Sequence, residues 1–351
     1  MTGSLAKAFA ATAAPGASLE TLPPGLVVDP LAARAVVLTL QDAVDTAACR
    51  VGALNVWPAL RQELFMAMGQ ASSDYFRKAF DAPAYTARIY DREAPRATRP
   101  FEPIPAGPDA TVYGDPAAAP GPGGLLFVEV PADYTQVFDG ALVNVFADPI
   151  MDILRRRRPE IPVAKLCRLQ PRVIDVRKRH DPLYYMHDVA AALHGPQPPH
   201  AGFIDTLEAA QARLTAMGVG LRLSPRRALA NLEAILSFER AFRRLFAAWR
   251  PRLVFVQNFN NNEKFGALAA AKALGVPVVD IQHGIQERTS MYNDHPAHCA
   301  DEPYLFPDAL WCWGEATRAA LAEESARRPT PWRRTVVGGA PWKAMIGDAA
   351  I

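Results

Sequence analysis

Residues 252–284 read RLVFVQNFNNNEKFGALAAAKALGVPVVDIQHG, and this stretch decides the fold class. Its first apolar run, 252–256, has the length and the branched and aromatic side chains of a buried strand. The alanine-rich segment 263–274 predicts a helix that ends at Gly275, because glycine adopts the left-handed cap conformation without strain. A second apolar run, 276–281, predicts another strand. A strand, a helix and a strand joined by short loops predict parallel pairing with a right-handed crossover.

The same alternation continues on both sides of this unit. Short apolar runs predict further strands at 125–130, 164–169, 310–313 and 335–337. Helical spacing of apolar residues predicts helices at 149–158, 203–217, 225–249 and 316–324. Strands that alternate with helices are typical of an α/β fold, and we predict a Rossmann-like parallel sheet with a helical N-terminal extension.

Composition divides the chain into five segments. Residues 1–30 are rich in alanine, proline and glycine and predict a disordered tail. Residues 31–92 predict a helical segment, and 93–123 a Pro/Gly-rich linker or loop. The Rossmann-like α/β domain is predicted over 124–342. A short tail, 343–351, follows it.

Charge and cysteine content narrow the function classes. Lys plus Arg number 38 and Asp plus Glu number 36, a net charge of +2 that argues against a dedicated nucleic-acid binder. The four cysteines form no CxxC pair and are typical of buried thiols in a reducing compartment. No long apolar run predicts a membrane-spanning helix. We therefore expect a cytoplasmic protein, with peripheral contact with the inner membrane as a further option.

Two polar loops follow strands that we expect to be neighbours. Residues 257–262 read QNFNNN, and residues 282–286 read QHGIQ. Ligands of open α/β sheets bind outside the carboxyl ends of the strands, so both loops should face one crevice. An imidazole there, His283, can act as a general base, a general acid or a phosphate partner.

Other interpretations of these residues stay open. An asparagine-rich loop often only caps a helix, and a histidine after a strand is often structural. The spacing of His283 from His295, His298 and Cys299 fits no usual metal site, and no GxGxxG or P-loop is present. The basic run 155–158 is typical of a solvated helix end, with contact to an anionic acceptor as the alternative.

A family resemblance rests on four stretches. They are FGALAAAKALGVPVVDIQHGIQ at 265–286, Tyr292, PDALWCWGEATRAAL at 307–321 and VVGGAPW at 336–342. Together they resemble bacterial capsule and lipopolysaccharide glycosyltransferases of the GT-B type with a Gln-His-Gly motif. They are similar to Kdo transferases and to teichoic-acid glycerophosphotransferases. The resemblance covers roughly residues 50–342.

The resemblance implies the N-terminal, acceptor-side half of a GT-B enzyme. A second donor-binding domain normally follows VVGGAPW, yet only residues 343–351 remain. We therefore expect a chain that takes part in transferring a sugar from a nucleotide-activated donor to a glycan or lipid-linked acceptor. It should be incomplete alone and need a separate donor-domain protein. Whether this chain alone is an enzyme stays open, and the alternative is a non-catalytic acceptor-binding or scaffold protein.

The resemblance also implies roles for individual residues, without a cofactor or a metal. His283 is the expected catalytic residue, by acid–base chemistry or phosphate contact. The expected substrate-binding residues are Gln282, Gly284, Asn258, Asn260, Glu263 and Tyr292.

Overall fold

The structure is a computed structural model of the full chain. It describes residues 30–70, 103–105, 111–114, 121–169, 176–185, 200–219, 221–284, 295–300, 303–325 and 334–346. The predicted disordered tail lies outside these ranges, apart from Pro30. The predicted site residue Tyr292 also lies outside them.

Eight helices lie in the described ranges. They are α1 Pro30–Ala43, α2 Trp57–Gln70, α3 Ala147–Arg157, α4 Ala201–Ala216, α5 Pro225–Trp249, α6 Asn262–Ala273, α7 Glu315–Ser325 and α8 Lys343–Ile346. Ser224 caps α5 by accepting a hydrogen bond from the Arg227 backbone N–H, as its position before Pro225 predicts. Within these ranges, none of the helices has the length and apolar character needed to span a bilayer.

Thirteen strands lie in the same ranges. They are β1 Arg50–Val51, β2 Leu54–Asn55, β3 Pro103–Pro105, β4 Thr111–Tyr113, β5 Leu125–Glu129, β6 Tyr134–Phe138, β7 Ala141–Asn144, β8 Val163–Arg168, β9 Leu183–Tyr185, β10 Leu253–Gln257, β11 Val278–Ile281, β12 Ala309–Cys312 and β13 Arg334–Val337. Nine of them form one sheet in the order β13-β12-β11-β10-β5-β8-β9-β4-β3, while β1–β2 and β6–β7 are separate hairpins.

The strand order is that of a doubly wound sheet. The parallel part of the sheet starts in the middle at β5, continues outward through β8 to β9, and returns to β10 on the other side of β5. Neighbours from β9 to β13 across the sheet are parallel, including the predicted pair of β10 and β11. This confirms the predicted α/β fold with a Rossmann-like parallel sheet and a helical N-terminal extension. The direction of winding reverses between β5 and β10, which places the expected ligand crevice there.

The central strands are buried on both faces, which explains their continuous apolar runs. On β5, Leu126 and Val128 face a large core shared with helices α1, α2, α4, α5 and α6. Leu125 and Phe127 face the smaller core under α3. Phe127 stacks on Phe255 of the adjacent β10, with ring centroids 4.6 Å apart.

The sheet extends further than the sequence indicates. Strands β3 and β4 lie inside the stretch 93–123, predicted as a linker or loop, and add two antiparallel strands beyond β9. Each has only three residues, too few for a period-two pattern to show. The domain boundaries drawn from composition stay predictions.

We expect Gly266→Ala to destabilise the fold. A Cβ at Gly266 would lie 2.3 Å from the Phe238 Cβ and 2.8 Å from the Glu239 backbone nitrogen, so α5 and α6 would have to separate. Alanine gains about 1 kcal/mol of helix propensity over glycine, but overpacking costs about 1–3 kcal/mol and acts here on backbone atoms. Denaturant unfolding should show a net loss. In Gly121→Ala, the control in a turn, the Cβ meets nothing within 4 Å, and an equal loss there would contradict the packing argument.

Candidate functional site

Lys264 connects the carboxyl ends of three strands at the point where the winding reverses. Its Nζ lies 3.2 Å from Asp133 Oδ2, after β5, and donates to the carbonyl oxygen of Gln257, at the end of β10. Its charge also lowers the pKa of Asp280 and of His283, at and after β11. One buried ammonium group therefore links the crevice between β5 and β10 to the β11 loop.

The loop between β10 and α6 is shaped by local hydrogen bonds. Asn258 has a left-handed φ of 51°, a conformation that asparagine tolerates better than most residues. Asn261 caps α6, with its side-chain oxygen accepting from the Lys264 backbone N–H at 2.9 Å. The capping role predicted for this loop as the alternative is thus present at Asn261. Asn258 is exposed, and Asn260 is half-buried beside it.

Asp280 lies fully buried beneath this loop. Burial raises its pKa well above the usual range, against the opposite effects of Lys264 and of the backbone N–H groups of Phe259 and Asn258. Within the described residues, no donor completes a hydrogen bond of normal geometry to either carboxyl oxygen. Burial is thus the dominant effect on the pKa of Asp280, and it opposes ionisation of the carboxyl group under the loop.

His283 is held as a neutral imidazole. Burial lowers its pKa to about 4, and the nearby positive charge of Lys264 acts in the same direction. At neutral pH the ring therefore has a nitrogen that can accept a proton. It lies two residues beyond β11, on the same edge of the sheet as the loop that carries Asn258 and Asn260. A neutral imidazole can accept a proton, and a pKa of about 4 makes it a weaker base than an imidazole with the ordinary value.

Gln282 braces the loop that carries His283. Its Oε1 accepts from the Trp313 backbone N–H at 2.7 Å, and its Nε2 donates to the Gly284 carbonyl at 2.8 Å. The Trp313 indole N–H donates to the Gln282 carbonyl at 2.6 Å. These bonds occupy a side chain that is 1% exposed, so in this structure Gln282 shapes the loop. A Cβ at Gly284 would meet nothing within 4 Å, which leaves space beside the imidazole.

Glu263 is buried in the first turn of α6. It accepts a hydrogen bond from the Tyr185 hydroxyl, and Arg168 Nε lies 3.9 Å from its Oε2. Burial raises its pKa, which the Tyr185 hydrogen bond and the Arg168 charge only partly offset. The side chain thus ties α6 to β9 and β8.

A second buried cluster lies between β5, β8 and α3. Lys165 Nζ is 2.6 Å from Asp148 Oδ1 and 3.9 Å from Glu129 Oε2, and the Tyr134 hydroxyl donates to Glu129 Oε2 at 2.6 Å. All four side chains are at most 3% exposed. Burial raises the pKa of Glu129 to about 7. The positive charge of Lys165 lowers this pKa, and the negative charge of Asp148 raises it. Glu129 is therefore poised to exchange a proton near neutral pH.

This Glu129 pKa predicts a pH-dependent stability. Since the folded pKa of about 7 exceeds the ordinary glutamate pKa of 4.5, the folded state binds more protons than the unfolded state between these two values. The free energy of unfolding should fall as pH rises through that window, by up to about 3 kcal/mol at 1.36 kcal/mol per unit. Denaturant titrations from pH 4.5 to 8 test this, with Glu129→Gln as the comparison. The variant should lose this part of the pH dependence, and identical profiles would contradict the assignment.

An aromatic cavity of about 450 Å³ is connected to the Gln282 loop through Trp313. The residues that line it are Gln136, Val137, Phe138, Val145, Phe146, Trp342 and Met345. Trp342 contacts Phe146 and Trp313 edge to face, with centroid distances of 5.7 Å and 4.4 Å. Trp313, which hydrogen bonds Gln282, packs on Trp342 of the cavity wall, so two tryptophans connect the cavity to the His283 loop. Val137 and Phe138 are 44% and 37% exposed, apolar surface that a ligand could cover.

Several site residues were not identified from the sequence. Glu129, Lys165 and Asp280 each interrupt an apolar strand, at LLFVE, VAKLCR and VVDI. A charged residue inside a strand buried on both faces needs a partner, and that is the signal that could have found them. Asp133 and Asp148 carry no such signal, because their partners come from distant parts of the chain.

The described part of the chain was also expected to lack a metal site. Among the described residues, no group of three or more His, Cys, Asp or Glu side chains is arranged to hold a metal ion. His295 hydrogen bonds the Tyr304 hydroxyl at 2.9 Å, and His298 lies near Asn55, on the N-terminal extension.

Comparisons with known proteins add little to this geometry. No protein-family model and no curated protein matches the chain. Among solved structures, the chain is similar to the UDP-GlcNAc 2-epimerase of Neisseria meningitidis bound to UDP-GlcNAc, with 14% identity and a TM-score of 0.34. The similarity covers 64% of this chain and 48% of that one, so the chain spans about half the length of that structure. A likeness of this size defines no shared function.

Proposed function

We propose that this chain is a glycosyltransferase-like protein of bacterial surface-polysaccharide assembly. It would use a nucleotide-activated sugar as donor and a glycan or lipid-linked saccharide as acceptor, in the cytoplasm. The observation that carries the proposal is the neutral His283 imidazole at the strand edge, near the charge of Lys264 and connected through Trp313 and Trp342 to an aromatic cavity. The Gln-His-Gly resemblance points to the same residues.

The proposed chemistry is a single displacement at the anomeric carbon. The acceptor hydroxyl forms a bond to this carbon, and the bond from the carbon to the donor phosphate oxygen breaks. The nucleotide leaves with that electron pair, and the hydroxyl proton passes to the His283 imidazole. The positive charge of Lys264 favours negative charge in the crevice, where a phosphate leaving group develops it.

The aromatic cavity supports a saccharide or lipid-linked acceptor. Its volume is within the range of small-molecule sites, and aromatic walls with few polar groups are typical of them. We place the acceptor against Trp342 and Phe146, with its reacting hydroxyl toward the His283 loop. Asn258 and Asn260 are the proposed contacts for sugar hydroxyls, as the resemblance implies, and Tyr292 is proposed with them on the sequence alone. The resemblance implies the same role for Glu263, but its side chain is buried and hydrogen bonded to Tyr185, so we propose that it acts by holding α6 against β9.

The test is transfer of radiolabelled sugar. The purified chain is incubated with UDP-, GDP- and CMP-sugars and with lipid-linked glycans extracted from bacterial envelopes. One arm contains the chain alone, and a second adds cytosolic extract to supply any donor-binding partner. Chain-dependent incorporation in either arm supports the proposal. Saturable glycan binding without transfer favours the alternative of a non-catalytic acceptor-binding protein, and neither binding nor transfer contradicts both.

A further inference from the structure

A second cavity lies on the opposite side of the fold from the strand ends described above. It has a volume of about 560 Å³ and is enclosed by the β1–β2 hairpin, helix α5 and the last turn of helix α6. Lys264 is in the first turn of α6 and Lys272 in its last, so the helix separates the two sites by roughly 12 Å at 1.5 Å per residue. Asp308, the partner of Lys272 at 3.1 Å, precedes β12, which places this cavity at the amino edge of the sheet.

The cavity is strongly cationic. Arg240, Arg243, Arg244 and Lys272 line it, and Glu239 is the carboxylate among the lining residues. Glu239 is engaged by Arg243 in the adjacent turn of α5, with Arg243 Nε donating at 2.6 Å. Arg243 is thus paired with Glu239, and Lys272 is paired with Asp308 outside the lining, so the lining has more cationic groups than carboxylates. Such an excess, gathered in a concave surface, attracts anions.

Arg240 forms part of the wall rather than an exposed surface. Its Nε atom is shielded from solvent. Burial lowers the pKa of Arg240. The negative charge of Glu239 raises this pKa, and the positive charge of the neighbouring Arg244 lowers it further. A bound anion would relieve this repulsion, because it adds a negative charge next to both guanidinium groups.

The rest of the wall is small and apolar. Val51, Gly52, Ala53 and Leu54 form one side, and Leu236, Ala269 and Ala273 form the other. The last carbonyl groups of α6 carry partial negative charge at the edge of the cavity, which the cationic side chains of the lining oppose. The carbonyl groups of Ala270, Ala271 and Lys272 accept hydrogen bonds from the backbone N–H groups of Leu274, Gly275 and Val276. The cavity thus combines cationic groups with an uncharged floor.

We propose that this cavity binds a phosphate ester. Guanidinium groups match phosphate geometry, and the uncharged floor would accept the organic part of the ester. The cavity volume suits a ligand of sugar-phosphate size or a phosphorylated headgroup. The site is separate from the carboxyl edge and does not depend on the function proposed there.

The experiment measures binding of defined phosphates to the full chain. Calorimetry with inorganic pyrophosphate and glucose 1-phosphate tests the soluble source. Sedimentation with phosphatidic acid vesicles, against phosphatidylcholine vesicles, tests the lipid source. Arg240→Gln with Arg244→Gln should lower the affinity at least tenfold for whichever source binds. The control double variant, Arg222→Gln with Arg226→Gln, removes the same charge from exposed positions outside the cavity. It should change the affinity less than twofold.

A second pair of variants guards against misfolding. Ala273 is exposed at the cavity wall, so Ala273→Glu adds a negative charge without disturbing the core. It should abolish binding, while Ala273→Gln, of the same size, should retain most of it. Equal loss in both arginine double variants, or equal binding by the Glu and Gln variants, would assign the binding to general surface charge and overturn the proposal. So would a wild-type chain that binds no probe at millimolar concentration.

Discussion

Replacing His283 by alanine is expected to lower glycosyl transfer by about 10²–10⁴-fold, the range for losing a general acid or base. The imidazole is neutral at physiological pH because burial and Lys264 hold its pKa at about 4. Without the His283 imidazole, the proton of the attacking hydroxyl has no acceptor at this edge of the sheet. The measurement is sugar incorporation per folded protein, in whichever arm of the transfer assay the wild type is active.

The pH profile separates a base from a structural role. A base with a pKa of about 4 should keep transfer active down to about pH 5, with a loss as pH falls through the pKa and the imidazole becomes charged. The control is His298→Ala, since His298 lies near Asn55 on the N-terminal extension and outside the crevice. The His298→Ala chain should transfer sugar at the wild-type rate. A His283→Ala chain whose melting midpoint collapses while activity per folded molecule stays normal would assign His283 to structure.

The fold could be predicted from the sequence where the apolar pattern of an element is long and its end signals are adjacent in sequence. Helix α5 has 25 residues, a serine cap and a proline in its first turn, and both of its ends were predicted correctly. The unit of β10, α6 and β11 was predicted because Gly275 marks the helix end. In contrast, β9 has three residues and is a strand only because β8 and β4 pair with it. Such strands are defined by partners distant in sequence, which periodicity does not reveal.

The site was predictable only in its loops. Side chains that follow strands, such as Asn258 and His283, could be placed on one edge from the expected topology. Their electrostatics could not, because the pKa of His283 depends on Lys264, which reads as an ordinary helix residue in the sequence. The pairing of Lys264 with Asp133 spans 131 residues and depends on the order of β5 and β10 in the sheet. The roles of Lys264 and Asp133 therefore depend on how distant parts of the chain pack together.

Replacing Lys165 by methionine is expected to have the largest effect on stability. Lys165 is fully buried, and its removal leaves Asp148 and Glu129 buried without their cation. Breaking one partner of a buried pair typically costs about 3–5 kcal/mol of unfolding free energy, since the remaining charge keeps its desolvation penalty. Denaturant unfolding gives the value. The control is Arg318→Met, which breaks an exposed pair with Glu315 and should cost less than about 1 kcal/mol.

A double-mutant cycle distinguishes lost charge pairing from lost packing. Asp148→Asn added to Lys165→Met removes the uncompensated charge, so the double variant should be more stable than the sum of the two single losses predicts. A coupling of about 0.5–3 kcal/mol is expected for groups in direct contact. Strict additivity would mean that the methionine only packs badly and that the pair contributes nothing.

The loss in Lys165→Met should also depend on pH in a defined direction. Lys165 lowers the pKa of Glu129, so without it that pKa rises above its value of about 7. A carboxyl group whose folded pKa is raised destabilises the protein once it has to ionise, so the variant should lose more stability at pH 8 than at pH 5. At pH 5 Glu129 is protonated in both proteins, and only Asp148 lacks its partner. A loss that is the same at both pH values would separate Glu129 from the cluster, and the neutral-pH proton exchange assigned to it would then have no basis.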